Sequence, residues 1–159
     1  MSIRIPCGGL MERHDLCLVE VLGFDWLPGA ACGILGMFAD RDITLSYLSL
    51  GNDAQGDKNM SFCVKTDKLA ANRDILDAVS REYQPSKVEV RAPVVILTLY
   101  GPHFSERPAL VRQVFSALCV DGIQAQTVAS SINSISLVIE TLDRDRTVRC
   151  LEEKFSWPA

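Results

Sequence analysis

Nucleophilic or metal chemistry in this chain would have to come from two histidines and six cysteines. Neither His14 nor His103 has a cysteine or carboxylate at metal-ligand spacing, and no two cysteines form a C-x-x-C pair, so no metal site is expected. A Cys–His catalytic pair needs partners that meet in space, and nothing local supports one. Cys7, Cys17, Cys32, Cys63, Cys119 and Cys150 lie mostly in apolar runs such as 16–18 and 62–64. They read as buried, reduced thiols of a cytoplasmic protein. Gly29, Gly33 and Gly36 follow an apolar run, but they are out of register with G-x-G-x-x-G, and close helix–sheet packing explains them better. No P-loop is present. The residues therefore point away from catalysis and imply no cofactor. His14 is expected in a hairpin turn and His103 in a surface loop.

Composition narrows the partners. The net charge is −4 and no Lys/Arg cluster occurs, which argues against nucleic acid. The densest charged stretch, 143–146, alternates in sign and reads as a solvated helix start. Hydrophobic residues make up 48% of the chain, enough to build a core for one domain or two small ones. No segment approaches the ~20 apolar residues of a membrane span, and the N-terminus shows no apolar signal region.

The elements that must position any site come in two copies. Phe24, Pro28 and Ile43 recur 80 residues later as Phe104, Pro108 and Ile123. Beyond the next turn the offset is 75, with Ser61 matching Ser136 and Thr66 matching Thr141. A shared order with one change at a turn is the mark of duplication with a loop-length difference; the polar stretch 51–57 supplies the longer loop. In the first copy, 16–22 reads as an apolar strand and Pro28 opens a helix with Ala31, Ile34, Leu35 and Phe38 on one face. Strands at 43–50 and 60–65 follow, then a helix capped by Thr66, with Ile75, Leu76, Val79 and Tyr83 on one face. Pro85 stops it before a strand at 86–91. The second copy reads as a strand at 94–100 and a helix at 108–119 with Leu110, Val111, Val114, Phe115 and Leu118 inward. Strands at 123–129 and 134–140 follow, then a helix carrying Val148, Leu151 and Phe155.

This order is the split βαβ, ferredoxin-like arrangement, an α+β fold with antiparallel sheets and helices on one face. Strands 16–22 and 94–99 are apolar on both sides, so their second face should be covered as well. The second copy lacks its last strand. The N-terminal segment 2–7, with Ile3 and Ile5 alternating with Arg4, is a spare strand expected to fill that edge. The expected domains are 10–92, and 93–159 together with 2–9.

The chain resembles the C-terminal regulatory region of aspartokinases, a tandem of ACT domains, over nearly its whole length. The resemblance is carried by Leu22-Gly23-Phe24-Asp25-Trp26-Leu27-Pro28-Gly29-Ala30-Ala31, similar to the family's strand–loop–Pro-Gly–helix signature. Asp42-Ile43-Thr44 and Gly122-Ile123-Gln124 resemble the start of its second strand, and Ser130-Ser131-Ile132-Asn133-Ser134-Ile135-Ser136 resembles its hairpin. It implies a βαββαβ fold in each domain, an N-terminal strand lent to the second domain, homodimerisation through the first ACT domains, and an amino-acid effector bound at ACT interfaces. It also implies a regulatory module without the kinase portion. A complete protein of this kind would be a sensor or partner subunit; a fragment would be an enzyme's control region.

A free amino acid is a zwitterion. Its carboxylate suits the open N–H groups of a helix start, and its ammonium suits carbonyls or a carboxylate. The stretch after the first strand supplies both, with N–H groups at Gly29, Ala30 and Ala31 behind Pro28 and an acid at Asp25. Trp26 stands where the family has an acid and would wall the site. In the second copy, Gln124-Ala125 replaces the family's Asn-Ile, and Gln124, Gln126, Ser130 and Asn133 are polar enough for a modified site. Leu50 and Ile132 also depart from the family pattern and favour an alternative, a ligand-free dimerisation module acting as a partner subunit.

Overall fold

The computed structural model describes residues 3–25, 27–102 and 109–158. In chain order it contains β1 (Ile5–Pro6), β2 (Gly9–Phe24), α1 (Pro28–Ala39), β3 (Tyr47–Asn52), β4 (Lys58–Lys65), α2 (Thr66–Ala71), α3 (Asp74–Tyr83) and β5 (Lys87–Tyr100). These are followed by α4 (Ala109–Val120), β6 (Thr127–Ser130), β7 (Ser134–Glu140), a 3-10 turn (Thr141–Asp143), α5 (Arg144–Lys154) and β8 (Phe155–Ser156). The chain divides into two compact units, Asp15–Pro93, and 1–14 with 94–159. The divisions fall inside β2 and β5, so each of these strands contributes to both units.

In the unit Asp15–Pro93 the strand order is β3-β4-β2-β5, with β4 antiparallel to both β3 and β2. Alternation along β2 sends Cys17, Val19 and Val21 to the helix side, where Ile34 and Phe38 of α1 and Ile75 and Val79 of α3 meet them. Phe38 and Phe62 pack edge to face at the centre, ring centroids 4.8 Å apart. Leu16, Leu18 and Cys63 are also fully buried, so β2 and β4 carry apolar residues on both faces. The 53–57 loop is held by Asp53, whose carboxylate accepts from the N–H groups of Gln55 (2.9 Å) and Asp57 (3.0 Å).

Several local expectations change. β3 starts at Tyr47 rather than at residue 43; Ile43 instead plugs the core after α1, its N–H bonded to the carbonyl of Phe38. Thr66 is the first helical residue and Lys65 takes the cap position without a side-chain capping bond to the helix. The single helix expected after it is two, because Asn72 (φ −130°, ψ 42°) leaves helical geometry.

In the other unit the order is β2-β5-β7-β6, with β7 antiparallel to its neighbours β5 and β6. As expected, the N-terminal residues join this unit, but the strand beside β5 is the first part of β2, from Gly9, and not residues 2–7. His14 is therefore a strand residue and not a hairpin turn, and the expected separate strands 86–91 and 94–100 are one strand, β5. Among the described residues 3–7, Ile5–Pro6 is strand, paired parallel with Phe155–Ser156. Phe155, expected on the last helix, is thus a strand residue, and it is fully buried. Val111 and Phe115 point outward, 38% and 44% exposed, while Leu110, Val114, Ala117 and Leu118 form the inner face of α4. Strand β6 is shorter than the 123–129 run suggested.

The charged stretch 143–146 is a binding device as much as a solvated one. Arg144 at the start of α5 donates from Nε to Glu12 Oε2 at 2.8 Å and from Nη2 to Glu12 Oε1. His14 Nε2 lies 2.9 Å from the same carboxylate. Arg144 holds the Glu12 carboxyl below its ordinary range, chiefly by this hydrogen bond. A depressed folded-state value means stabilisation that is complete above the ordinary carboxylate range and lost as pH falls through the depressed value. Glu12→Gln is expected to cost about 1 kcal/mol at neutral pH, discounted because Arg144 is partly exposed. Urea titrations across acid pH should show the gap between variant and parent closing once Glu12 is protonated.

Candidate functional site

The turn between β2 and α1 is fixed at its entrance. Gly23 adopts φ +66°, and its N–H donates to Asn59 Oδ1 at 2.8 Å while its carbonyl accepts the Ser86 N–H at 3.1 Å. A Cβ there would meet Ser86 Oγ at 2.5 Å, so glycine is required both by conformation and by space. Phe24 then inserts into the core, Asp25 stands exposed, and Pro28 opens α1. Trp26 lies outside the described residues.

The start of α1 is left chemically open. Leu27 occupies the cap position with no side-chain hydrogen bond, and the first turn holds no acidic residue. The Ala30 N–H is used by the Leu27 carbonyl at 3.0 Å. Gly29 is exposed with open space around its Cα, and its N–H is one of those a helix start leaves without an intrahelical acceptor. Ala30 is buried and Ala31 packs against the core, so these two anchor the helix more than they offer contacts.

Asp25, Leu27, Gly29 and Ala30 line a cleft of about 480 Å³ together with Glu82, Tyr83 and Gln84. The last three come from the end of α3, which Gln84 terminates in the left-handed region (φ 46°), its N–H returning to the Ser80 carbonyl. The cleft thus joins the N-terminal end of one helix to the C-terminal end of another. The first carries partial positive charge and free N–H groups; the second carries partial negative charge and free carbonyls. Tyr83 seats its hydroxyl so close to Gly33 that a Cβ there would lie 1.8 Å away. Desolvation, then the Glu82 carboxylate, pushes this phenol above its ordinary range, so it stays a neutral donor. Glu82, Tyr83 and Gln84 were not visible as site residues from the sequence. They lie more than fifty residues from Asp25, and no local spacing ties them to it.

The residues expected in the second copy do not form one cluster. Gln126 precedes β6, with its N–H bonded to the Val138 carbonyl at 2.8 Å and its side chain 3.5 Å from Glu140 Oε1. Gln124 beside it is exposed and Ala125 packs on the core. Ser130 is the last residue of β6, a strand that spans roughly 13 Å, and Asn133 lies in the turn beyond it. Asn133 serves its turn, its carbonyl accepting the Gly101 N–H at 2.9 Å and its side chain the Ser131 hydroxyl at 3.2 Å. His103 and Pro108 lie outside the described residues.

Among the described residues no group of His, Cys, Asp or Glu is arranged to hold a metal ion. All six cysteines are free; Cys32 and Cys119 are exposed rather than buried. Burial pushes the Cys63 thiol up to about 12, and burial followed by the Asp121 hydrogen bond pushes Cys150 up to about 11, so both remain protonated. No helix of the described residues is long and apolar enough to cross a membrane.

No family model matches the chain. It is 24% identical over 158 residues to an aspartokinase of Bacillus sp. (strain MGA3), covering 98% of this chain and 38% of that protein, so it spans little more than a third of the relative. In structure it is similar to the regulatory subunit of aspartate kinase from Thermus flavus, with a TM-score of 0.84 at 20% identity, over 94% of this chain and 99% of the subunit. It is also similar to E. coli aspartokinase III solved in complex with lysine and aspartate, with a TM-score of 0.72 at 16% identity, over 94% of this chain and 33% of the enzyme. The α+β fold read from the sequence is therefore the fold of the regulatory part of aspartate kinases.

Proposed function

We propose that this chain, which carries the fold of an aspartate kinase regulatory subunit, is a regulatory module that binds a free amino acid in the cleft between α1 and α3. One observation carries the reading. Two helix ends of opposite polarity share the cleft, with Asp25 and Glu82 among its lining residues. The Gly29 N–H and the dipole of α1 suit the α-carboxylate. The two acids and the terminal carbonyls of α3 suit the ammonium. Leu27 and the Tyr83 ring suit the aliphatic part of a side chain. The lysine complex of the E. coli enzyme makes a cationic amino acid the first candidate. Free thiols throughout support a reducing, cytoplasmic setting.

The test is a thermal-shift and calorimetry series with free amino acids. A ligand at 100 times its dissociation constant should stabilise the protein by about 2.7 kcal/mol. The same amino acid as its carboxamide or its N-acetyl derivative should give no shift, and Asp25→Lys with Glu82→Lys should abolish the response. Indifference to every amino acid at millimolar concentration would defeat the reading.

A second reading, a dimerisation module serving a partner enzyme, draws on β3. This edge strand exposes Leu48 and Leu50 on one face, a surface suited to a second copy. Light scattering should then find a dimer, and Leu48→Lys with Leu50→Lys should yield monomer.

A further inference from the structure

The unit Asp15–Pro93 holds a second cavity, of about 350 Å³, that the amino-acid reading does not use. Its origin is a gap in the helix layer. Val88 of β5 packs against the core, and Val90, two residues on, faces the same way. Yet Val90 is 42% exposed. Helix α2 ends at Ala71 and α3 restarts only at Asp74, so the break at residues 72–73 leaves this part of β5 uncovered. The residues that could fill the gap, Ala70 and Ala92, are small. Leu69, Leu76 and Cys17 complete an apolar lining, and the Cys17 thiol is held protonated by burial and bonded to the Val64 carbonyl.

Among the described residues one cation lines this cavity, Arg73, placed in the helix break itself. No carboxylate among the described residues lines it, and the adjacent Asp74 is engaged by Arg41 at 2.8 Å. An apolar pocket with a single guanidinium at its border complements a small anion with an apolar body. We propose that the cavity binds a small apolar monocarboxylate, with the hydrocarbon tail against Leu69, Leu76 and Val90 and the carboxylate on Arg73, assisted by the Thr66 hydroxyl. A free amino acid fits poorly, because its ammonium would find no counter-charge. The proposal is independent of the ligand in the other cleft.

The test is calorimetric titration of the full chain with isocaproate, with isohexyl alcohol and leucine as comparators. Isocaproate is expected to bind, roughly tenfold more weakly to Arg73→Gln and not at all to Ala70→Trp, whose indole would fill the cavity from an exposed position. Circular dichroism identical to the parent's verifies that both variants fold. Asp25→Lys with Glu82→Lys, which disables the other cleft, should leave isocaproate binding unchanged. Absence of isocaproate binding at millimolar concentration would overturn the proposal. So would equal affinity for the alcohol, or binding that survives Arg73→Gln undiminished.

Discussion

Replacing Phe62 with alanine is expected to remove about 3–5 kcal/mol of stability, the range for losing a fully buried aromatic ring. Phe62 lies on β4 with no exposed surface, edge-on to Phe38 of α1. Truncation forfeits the transfer of the ring out of water and leaves a cavity that Val64, Ile34 and Phe38 can only partly close. It also forfeits an aromatic pair worth about 0.5–1.5 kcal/mol beyond area burial. The loss reaches the candidate cleft because Phe38 and Ile34 seat α1, and α1 presents Gly29 to it. Phe62→Ala should therefore lower the urea midpoint followed by far-UV circular dichroism and, on the proposed function, weaken amino-acid binding as well. Leu142→Ala, at a nearly fully exposed position, should change the midpoint little. A Phe62 variant as stable as its parent would show that this ring does not hold the unit together.

Phe155→Ala is expected to have a comparable effect, about 3–5 kcal/mol, in the other unit. Phe155 is fully buried and stands in register with Ile5 of β1. Ile5, Cys7, Leu10 and Trp157 pack around the same core. The N-terminal segment is fastened beside it by the Cys7 N–H on the Ser156 carbonyl at 2.9 Å and the Gly8 N–H on the Tyr100 carbonyl at 2.7 Å. Losing the ring should free this segment, so trypsin should cleave the variant after Arg4 well before the parent. Ile3→Ala, at an exposed position, serves as the control. Equal cleavage of Phe155→Ala and parent would mean that the segment is secured by its backbone bonds alone.

How far the sequence reached is clearest element by element. Spacing alone places Ile34 and Phe38, Ile75 and Val79, and Val114 and Leu118 inward, and all are buried. The same rule failed for Val111 and Phe115, because an apolar arc on a helix shows what could be buried, not how wide a surface meets it. The cleft was half legible. Pro28-Gly29 behind an apolar strand announces an open helix start, but the end of α3 is remote in sequence and carries no motif. The Glu12–Arg144 clamp was hidden for the same reason, its partners being 132 residues apart.

By itself the sequence determined the duplicated element order, the central inward positions of the helices and an α+β fold without a motif for catalysis. Each of these follows from short-range spacing, which side-chain direction along a helix or strand converts directly into a face. Only the tertiary structure decided that β2 begins at Gly9 and passes His14 without turning. It alone paired Ile5–Pro6 with Phe155–Ser156, and it alone brought Glu82 and Tyr83 to Asp25 and Gly29. Those outcomes depend on contacts between residues far apart in the chain, whose free energy comes from packing and dipole placement that no local pattern encodes.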